Sequence, residues 1–239
     1  MNEVSAASSQ GSVFEDVLEV LWAPAKVFDR SRAKGVGMYI LVLTVSTLVL
    51  MFATKGLIQP YIDANFYLQM QQMAAKGTPM PAEAAAAAQK FSSYGFLASG
   101  VLMIPIGAVL TGLLVWIGGK VASASVTYGQ AMLIATLASV PRVLSFIATA
   151  VQGAMVDPQS IRSFSDAALG AARFVDPAAA SPALTAMLSN LDLFNIWQLV
   201  LMAIGISVVG RVERSAGVVG ALVAWGLGVA LTVVPALLA

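Results

Sequence analysis

An all-α integral membrane protein with five transmembrane helices is the fold class that three observations predict. Five long apolar stretches, Gly35–Thr54, Tyr94–Gly118, Gly129–Val151, Leu193–Gly210 and Ala216–Leu238, fill almost half of the chain. Hydrophobic residues make up 59% of the 239 positions and charged residues only 10%, far from the balance of a water-soluble domain. Basic residues crowd the ends of some spans and avoid others. A span of about 20 apolar residues, rising about 1.5 Å each, crosses a hydrocarbon core of about 30 Å, and only a helix satisfies its own backbone groups over that distance. The spans are expected at about 35–54, 94–118, 129–151, 193–210 and 216–238, so that residues 35–239 form one five-helix membrane domain behind an N-terminal segment, residues 1–34.

That N-terminal segment carries Glu3, Glu15, Asp16, Glu19 and Asp29 and has no basic start leading into an apolar core, so no cleavable signal peptide is expected. Ser12-Val13-Phe14-Glu15 has the form of a capping box, and Phe14, Val17, Leu18, Leu21 and Trp22 follow at helical spacing. A short amphipathic helix is predicted over 13–22, ended or bent by Pro24. Phe14, Leu18 and Trp22 are its candidate docking residues, toward the bundle's own inner face, another protein or the membrane. Glu15, Asp16 and Glu19 read as a solvated face, ill suited to an anionic leaflet. A partner, or the basic turn Arg211 to Arg214, is the neighbour expected for them.

Orientation follows from the basic residues nearest the span ends. Lys26, Arg30, Arg32 and Lys34 precede span one, Lys120 lies between spans two and three, and Arg211 and Arg214 lie between spans four and five. Those connections are expected to be cytoplasmic, which leaves the N-terminus inside and Ala239 outside. Tyr39, Trp116, Tyr128, Tyr94 and Trp197 fall near the two boundaries and read as interfacial anchors. In the longer outer connections, the alanine run 84–88 should form a helix continuing into span two. Asp157-Pro158, Asp176-Pro177 and Ser181-Pro182 each read as an N-cap with proline at the first helical position. The methionines at 70, 73 and 80 lack the spacing of a thioether metal site.

Within the membrane the costly residue is Arg142, which follows Pro141 about 13 positions into span three. Asp192, Asn195 and Gln198 recur every three residues at the start of span four, and Asp192 is the expected partner of Arg142. Pro141 should kink its helix. Span five presents Ala216, Gly220, Ala224, Gly228 and Thr232 along one face, a small residue at every fourth position, so Gly220, Ala224 and Gly228 are expected to let a neighbouring helix approach closely. Gly118-Gly119 reads as a flexible exit from span two.

The chain contains no histidine and no cysteine, which removes Ser-His and Cys-His nucleophile systems and the usual histidine metal centres. No GxxxxGK phosphate loop occurs, and the net charge of +1 gives no reason to expect a nucleic acid partner. No catalytic residue, cofactor or metal site is therefore expected. The expected partners are the lipid bilayer and another membrane protein or a second copy of the chain.

The order of features resembles a family. Leu21-Trp22-Ala23-Pro24-Ala25-Lys26-Val27-Phe28 opens the chain, Tyr128-Gly129-Gln130 runs to Val140-Pro141-Arg142, and Leu191-Asp192-Leu193-Phe194-Asn195-Ile196-Trp197 leads to Ala203-Ile204-Gly205. In these the chain is similar to bacterial members of the Yip-type (Yip-one domain) membrane proteins. The resemblance implies five spans with a cytoplasmic N-terminus, and its eukaryotic branch is associated with Rab GTPases and vesicle traffic. The expected role is a non-enzymatic scaffold, assembly factor or accessory subunit in a bacterial inner membrane. Its rival is a small-solute or ion transporter or channel component with a polar path around Arg142, Asp192, Asn195 and Gln198.

Overall fold

A computed structural model describes residues 11–238, the side chain of Ser93 apart. Glu3 and Ala239, on which parts of the signal-peptide and topology readings rest, lie outside the described residues. Among the described residues the chain is all-helical with no strand, and five helical segments are long and apolar enough to span a membrane. The end of the bundle that carries the N-terminal helices is its N-terminal face, and the opposite end its far face.

Two short helices precede the spans. The predicted capping box at Ser12 and Glu15 forms and opens α1, Val13–Glu19. Pro24 then occupies the first turn of a second helix, α2, Pro24–Ser31, where its missing N–H costs nothing. The helix expected over 13–22 is therefore shorter, and the segment after Pro24 is helical as well.

The first span and its connection differ most from expectation. Helix α3 runs without a break over Gly37–Ala75, and α4 over Ala82–Val121. Residues 55–75, expected to be part of a loop, continue the helix through Lys55, Pro60 and Asp63. At about 1.5 Å per residue, helices of 39 and 40 residues outreach the bilayer by some 30 Å, so the two form a helical hairpin projecting beyond the far face. Lys55 lies over the Tyr94 ring at 5.5 Å, and Gln89 donates to the Tyr67 hydroxyl at 3.2 Å.

Span three divides into α5, Tyr128–Ala138, and α6, Val140–Met155. The division falls at Ser139, where Pro141 cannot donate a helical hydrogen bond. Between α6 and the next span the chain covers the far face with three 3-10 turns, Pro158–Ser160, Phe164–Ala167 and Ala171–Phe174, and then α7, Pro182–Ser189. Asp157 and Ser181 cap as expected, whereas the stretch after Asp176 is a turn. The last spans are α8, Leu193–Gly210, and α9, Arg214–Leu238.

The spans pack as a ring in the order α3, α4, α9, α8, α6 and back to α3. Helix α5 lies inside that ring at the N-terminal face, against α4 and α8, and seven of its 11 residues are buried. The main core is here: Phe28 of α2, Tyr39 and Leu43 of α3, Ile134 and Leu137 of α5 and Ile206 of α8 are all at most 1% exposed. Phe28 enters because α8 has a glycine opposite it. A Cβ on Gly205 would stand 2.7 Å from Ile134 and 3.1 Å from Phe28. In the other half of the ring, toward the far face, α6 leans on α3 and no inner helix fills the centre.

The cover of the far face is tied down by side chains. Phe164 stacks on Phe96 with 6.2 Å between ring centroids and lies 6.1 Å from Tyr61. Asp166 accepts from the Arg162 guanidinium at 2.6 Å and from the Arg162 amide at 2.7 Å. Burial alone would raise the Asp166 carboxyl, but its bonds to Arg162 outweigh that and hold it below the ordinary carboxylate value. A carboxyl with a folded value below its unfolded one of about 3.9 stabilises above that pH, and the contribution is lost as pH falls through the folded value. Hydrogen exchange in residues 163–174, corrected for intrinsic rates, should therefore stay constant from pH 7 to about 5 and accelerate below about 4. Asp166→Asn should remove that acid step.

Candidate functional site: a cation where two cavities meet

Arg142 lies in the first turn of α6, about 21 Å from the start of α5 at helical rise, and so sits nearer the far face. The residue is exposed, and it borders two cavities. The smaller, of about 200 Å³, lies under the far-face cover and is lined by Asp192, Phe164 and Thr149 among others. The larger, of about 810 Å³, lies at the centre of the ring and is bordered by all five spans. Arg142, Ser145 and Asn195 line both.

The expected pair of Arg142 with Asp192 is not a contact. Asp192 caps α8 by accepting from the Phe194 amide at 2.9 Å, and its other oxygen accepts from the Leu169 amide at 2.8 Å. Those amides are fixed by the backbone bridge between Gly170 and Asp192, so the carboxylate is held facing the loop. Its charge acts on Arg142 from a distance. Asn195 donates to the Ser189 carbonyl at 3.0 Å. Gln198, only 8% exposed, faces the larger cavity, and its side-chain amide makes no hydrogen bond among the described residues. The three polar residues of α8 thus descend from the small cavity to the large one instead of converging on Arg142. Pro141 places Arg142 by dividing the span.

The small-residue face of α9 is used within the chain. A Cβ on Gly118 would stand 2.1 Å from the Gly220 carbonyl oxygen and 3.3 Å from the Ala224 nitrogen, so α4 and α9 meet backbone to backbone. Gly228 continues the seam toward Leu114. Gly118, expected as part of a flexible exit, is instead a packing residue inside α4.

At the N-terminal face the structure reverses the amphipathic reading of α1. Phe14, Leu18 and Trp22 are 58%, 44% and 70% exposed and do not pack on the bundle, whereas Val17 and Val20 are buried. Asp16 is 0% exposed. It pairs with Arg30 at 2.5 Å and Lys34 at 2.9 Å and accepts from the Tyr39 hydroxyl. Glu19 pairs with Arg30 at 2.6 Å and Lys26 at 3.0 Å, and the hydrogen bonds from Lys26 and Arg30 pull its carboxyl below the ordinary value. Asp16 and Glu19 are thus neutralised by α2 and by Lys34 in the turn after it, not by Arg211 and Arg214, and Tyr39 is a buried core residue and no interfacial anchor. Sequence reasoning placed Asp16 on a solvated face and Tyr39 at an interface, and gave Phe28 no structural role, whereas all three are buried. The signal it lacked was the run of bases at 26, 30 and 34, spaced to meet acids at 16 and 19 once Pro24 starts a second helix.

Five spans in a ring, an ion-paired helical clasp at one end and a cation-bordered cavity define a multi-pass membrane protein built around a central chamber. The chain matches the Yip1 domain over residues 18–234 and belongs to that family. No curated protein and no solved structure matches it.

Proposed function

We propose that this Yip1-family chain is a non-enzymatic scaffold, assembly factor or accessory subunit of a membrane complex, set in a bacterial inner membrane with its N-terminal face in the cytoplasm. The orientation rests on the bases at 26, 30, 32, 34, 120, 211 and 214. The observation that carries the role is the clasp around Asp16, which fixes α1 so that Phe14, Leu18 and Trp22 form an outward apolar face. Large apolar and aromatic groups held rigidly outward are the usual anchors of an interface, since little side-chain entropy remains to be lost on binding. Neutralisation of Asp16 and Glu19 within the clasp also removes the repulsion that they would exert on an acidic surface. A link to membrane traffic or organisation belongs to the same reading.

The test is purification of the tagged chain from native membranes in mild detergent, with mass spectrometry of what co-elutes. A stoichiometric membrane protein is expected, and Phe14→Ser with Trp22→Ser should release it while shifting thermal stability by no more than about 0.5 kcal/mol, as for exposed positions. A wild-type chain that elutes as a clean monomer would defeat the reading.

That outcome would favour transport, the second reading, for which the 810 Å³ cavity beside Arg142, Asn195 and Gln198 speaks directly. Against it stands the floor of the chamber: Tyr39, Leu43, Ile134 and Ile206 seal the N-terminal half of the ring.

A further inference from the structure

We propose that the central cavity binds an anionic amphiphile, with its phosphate or carboxylate head on Arg142 and Gln198 and its acyl tail in the trough between α4 and α9. The site is donor-rich. A guanidinium carries five N–H donors and accepts nothing, and the Arg142 side chain has no hydrogen bond or ion pair among the described residues. Gln198, a residue only 8% exposed, likewise makes no side-chain hydrogen bond among the described residues and lines the same cavity. Asp192 cannot complete the set, because both of its oxygens already serve backbone amides. A cation inside a bilayer with no direct partner is costly. One acceptor-rich anion between Arg142 and Gln198 relieves that cost and takes up the amide as a further donor.

The shape of the cavity selects the rest of the ligand. Its α4 wall extends from Ser99 to Leu114, about 22 Å at helical rise, which exceeds the roughly 15 Å that a lipid tail spans in one leaflet. The opposite wall is α9 from Trp225 to Thr232. At about 810 Å³ the chamber falls within the ordinary range of ligand pockets, about 300–1,000 Å³. A small inorganic anion would satisfy Arg142 and leave the apolar trough without a counterpart. A zwitterionic lipid would bring its own cation to the arginine.

Two substitutions separate head from tail. Arg142→Gln removes the charge. Gly107→Leu fills the trough, since a Cβ at this cavity-lining position meets nothing within 4 Å and the larger side chain enters free space. The full chain in a neutral detergent would be titrated with dioleoyl phosphatidylglycerol, dioleoyl phosphatidylcholine, oleate and inorganic phosphate, followed by native mass spectrometry and thermal shift. The phosphatidylglycerol or oleate should bind one to one at least tenfold more tightly than phosphatidylcholine, and whichever binds better names the head as phosphate or carboxylate. Arg142→Gln and Gly107→Leu should each weaken that binding at least tenfold. Equal binding of the two phospholipids, comparable binding of inorganic phosphate, or wild-type affinity in both variants would overturn the proposal. If Arg142→Gln does not fold, Gly107→Leu and the comparison of headgroups decide it. The outcome is independent of whether α1 docks a partner.

Discussion

Asp16→Asn should release the N-terminal helices from the bundle and cost about 3 kcal/mol, the lower end of the loss caused by removing one member of a buried ion pair. Asparagine keeps the size and one acceptor oxygen but not the charge, so Arg30, Lys34 and the Tyr39 hydroxyl lose their shared counter-ion together. The cost stays at the lower end because Arg30 and Lys34 retain 18% and 23% of their side-chain exposure and can turn partly to water. Glu19 cannot take over, as it is already engaged by Lys26 and Arg30. Phe28 rides on α2 and reaches the core opposite Gly205, so loss of the clasp should loosen the floor of the chamber as well. Hydrogen exchange should rise across 13–31 and around Ile206, with a lower thermal midpoint in detergent. Glu15→Gln, which removes a charge from the exposed capping box, is the control and should leave both nearly unchanged. Equal behaviour of the two variants would refute the account.

How much of the fold is legible in the sequence depends on which forces act locally. Apolar runs mark spans because lipid admits only self-satisfied helices, and caps such as Ser12 and Ser181 depend on neighbours three residues away. The projecting hairpin escaped that logic. Lys55, Pro60 and Asp63 look like the end of a span, yet proline inside a long helix forfeits only one hydrogen bond when the flanking residues are helix formers. The face of α1 was ambiguous for a different reason. Positions 13, 17 and 20 satisfy helical periodicity as well as 14, 18 and 22 do, and bulk favoured the wrong stripe. Only the counter-ions for Asp16, contributed from beyond Pro24, decide between them. Arg142 was legible as an expensive residue, and its surroundings were not, since the loop that occupies Asp192 is fixed by contacts between Gly170 and Leu191 that no local pattern encodes.

Gly118→Ala is the smallest change from which a large loss is expected. The added methyl would stand 2.1 Å from the Gly220 carbonyl oxygen and 3.0 Å from its carbon. Both are backbone atoms with no rotamer to yield, so α4 and α9 must separate, and overpacking of this kind costs about 1–3 kcal/mol or somewhat more. Alanine favours a helix over glycine by up to about 1 kcal/mol, which offsets only part of it. The reciprocal change, Gly220→Ala, meets the Gly118 oxygen at 2.9 Å and the Ala122 methyl at 3.2 Å, and should be milder. Gly226→Ala on the same α9 meets nothing within 4 Å and should be neutral or slightly stabilising. The order Gly118, Gly220, Gly226 in loss of thermal stability therefore reads the seam directly, because helix propensity alone would raise all three. If Gly118→Ala melted no lower than Gly226→Ala, the two helices would not meet where the structure brings them together. Since α4 and α9 also form the walls of the trough, Gly118→Ala should widen the chamber from its closed end, whereas Gly107→Leu fills it without touching the seam.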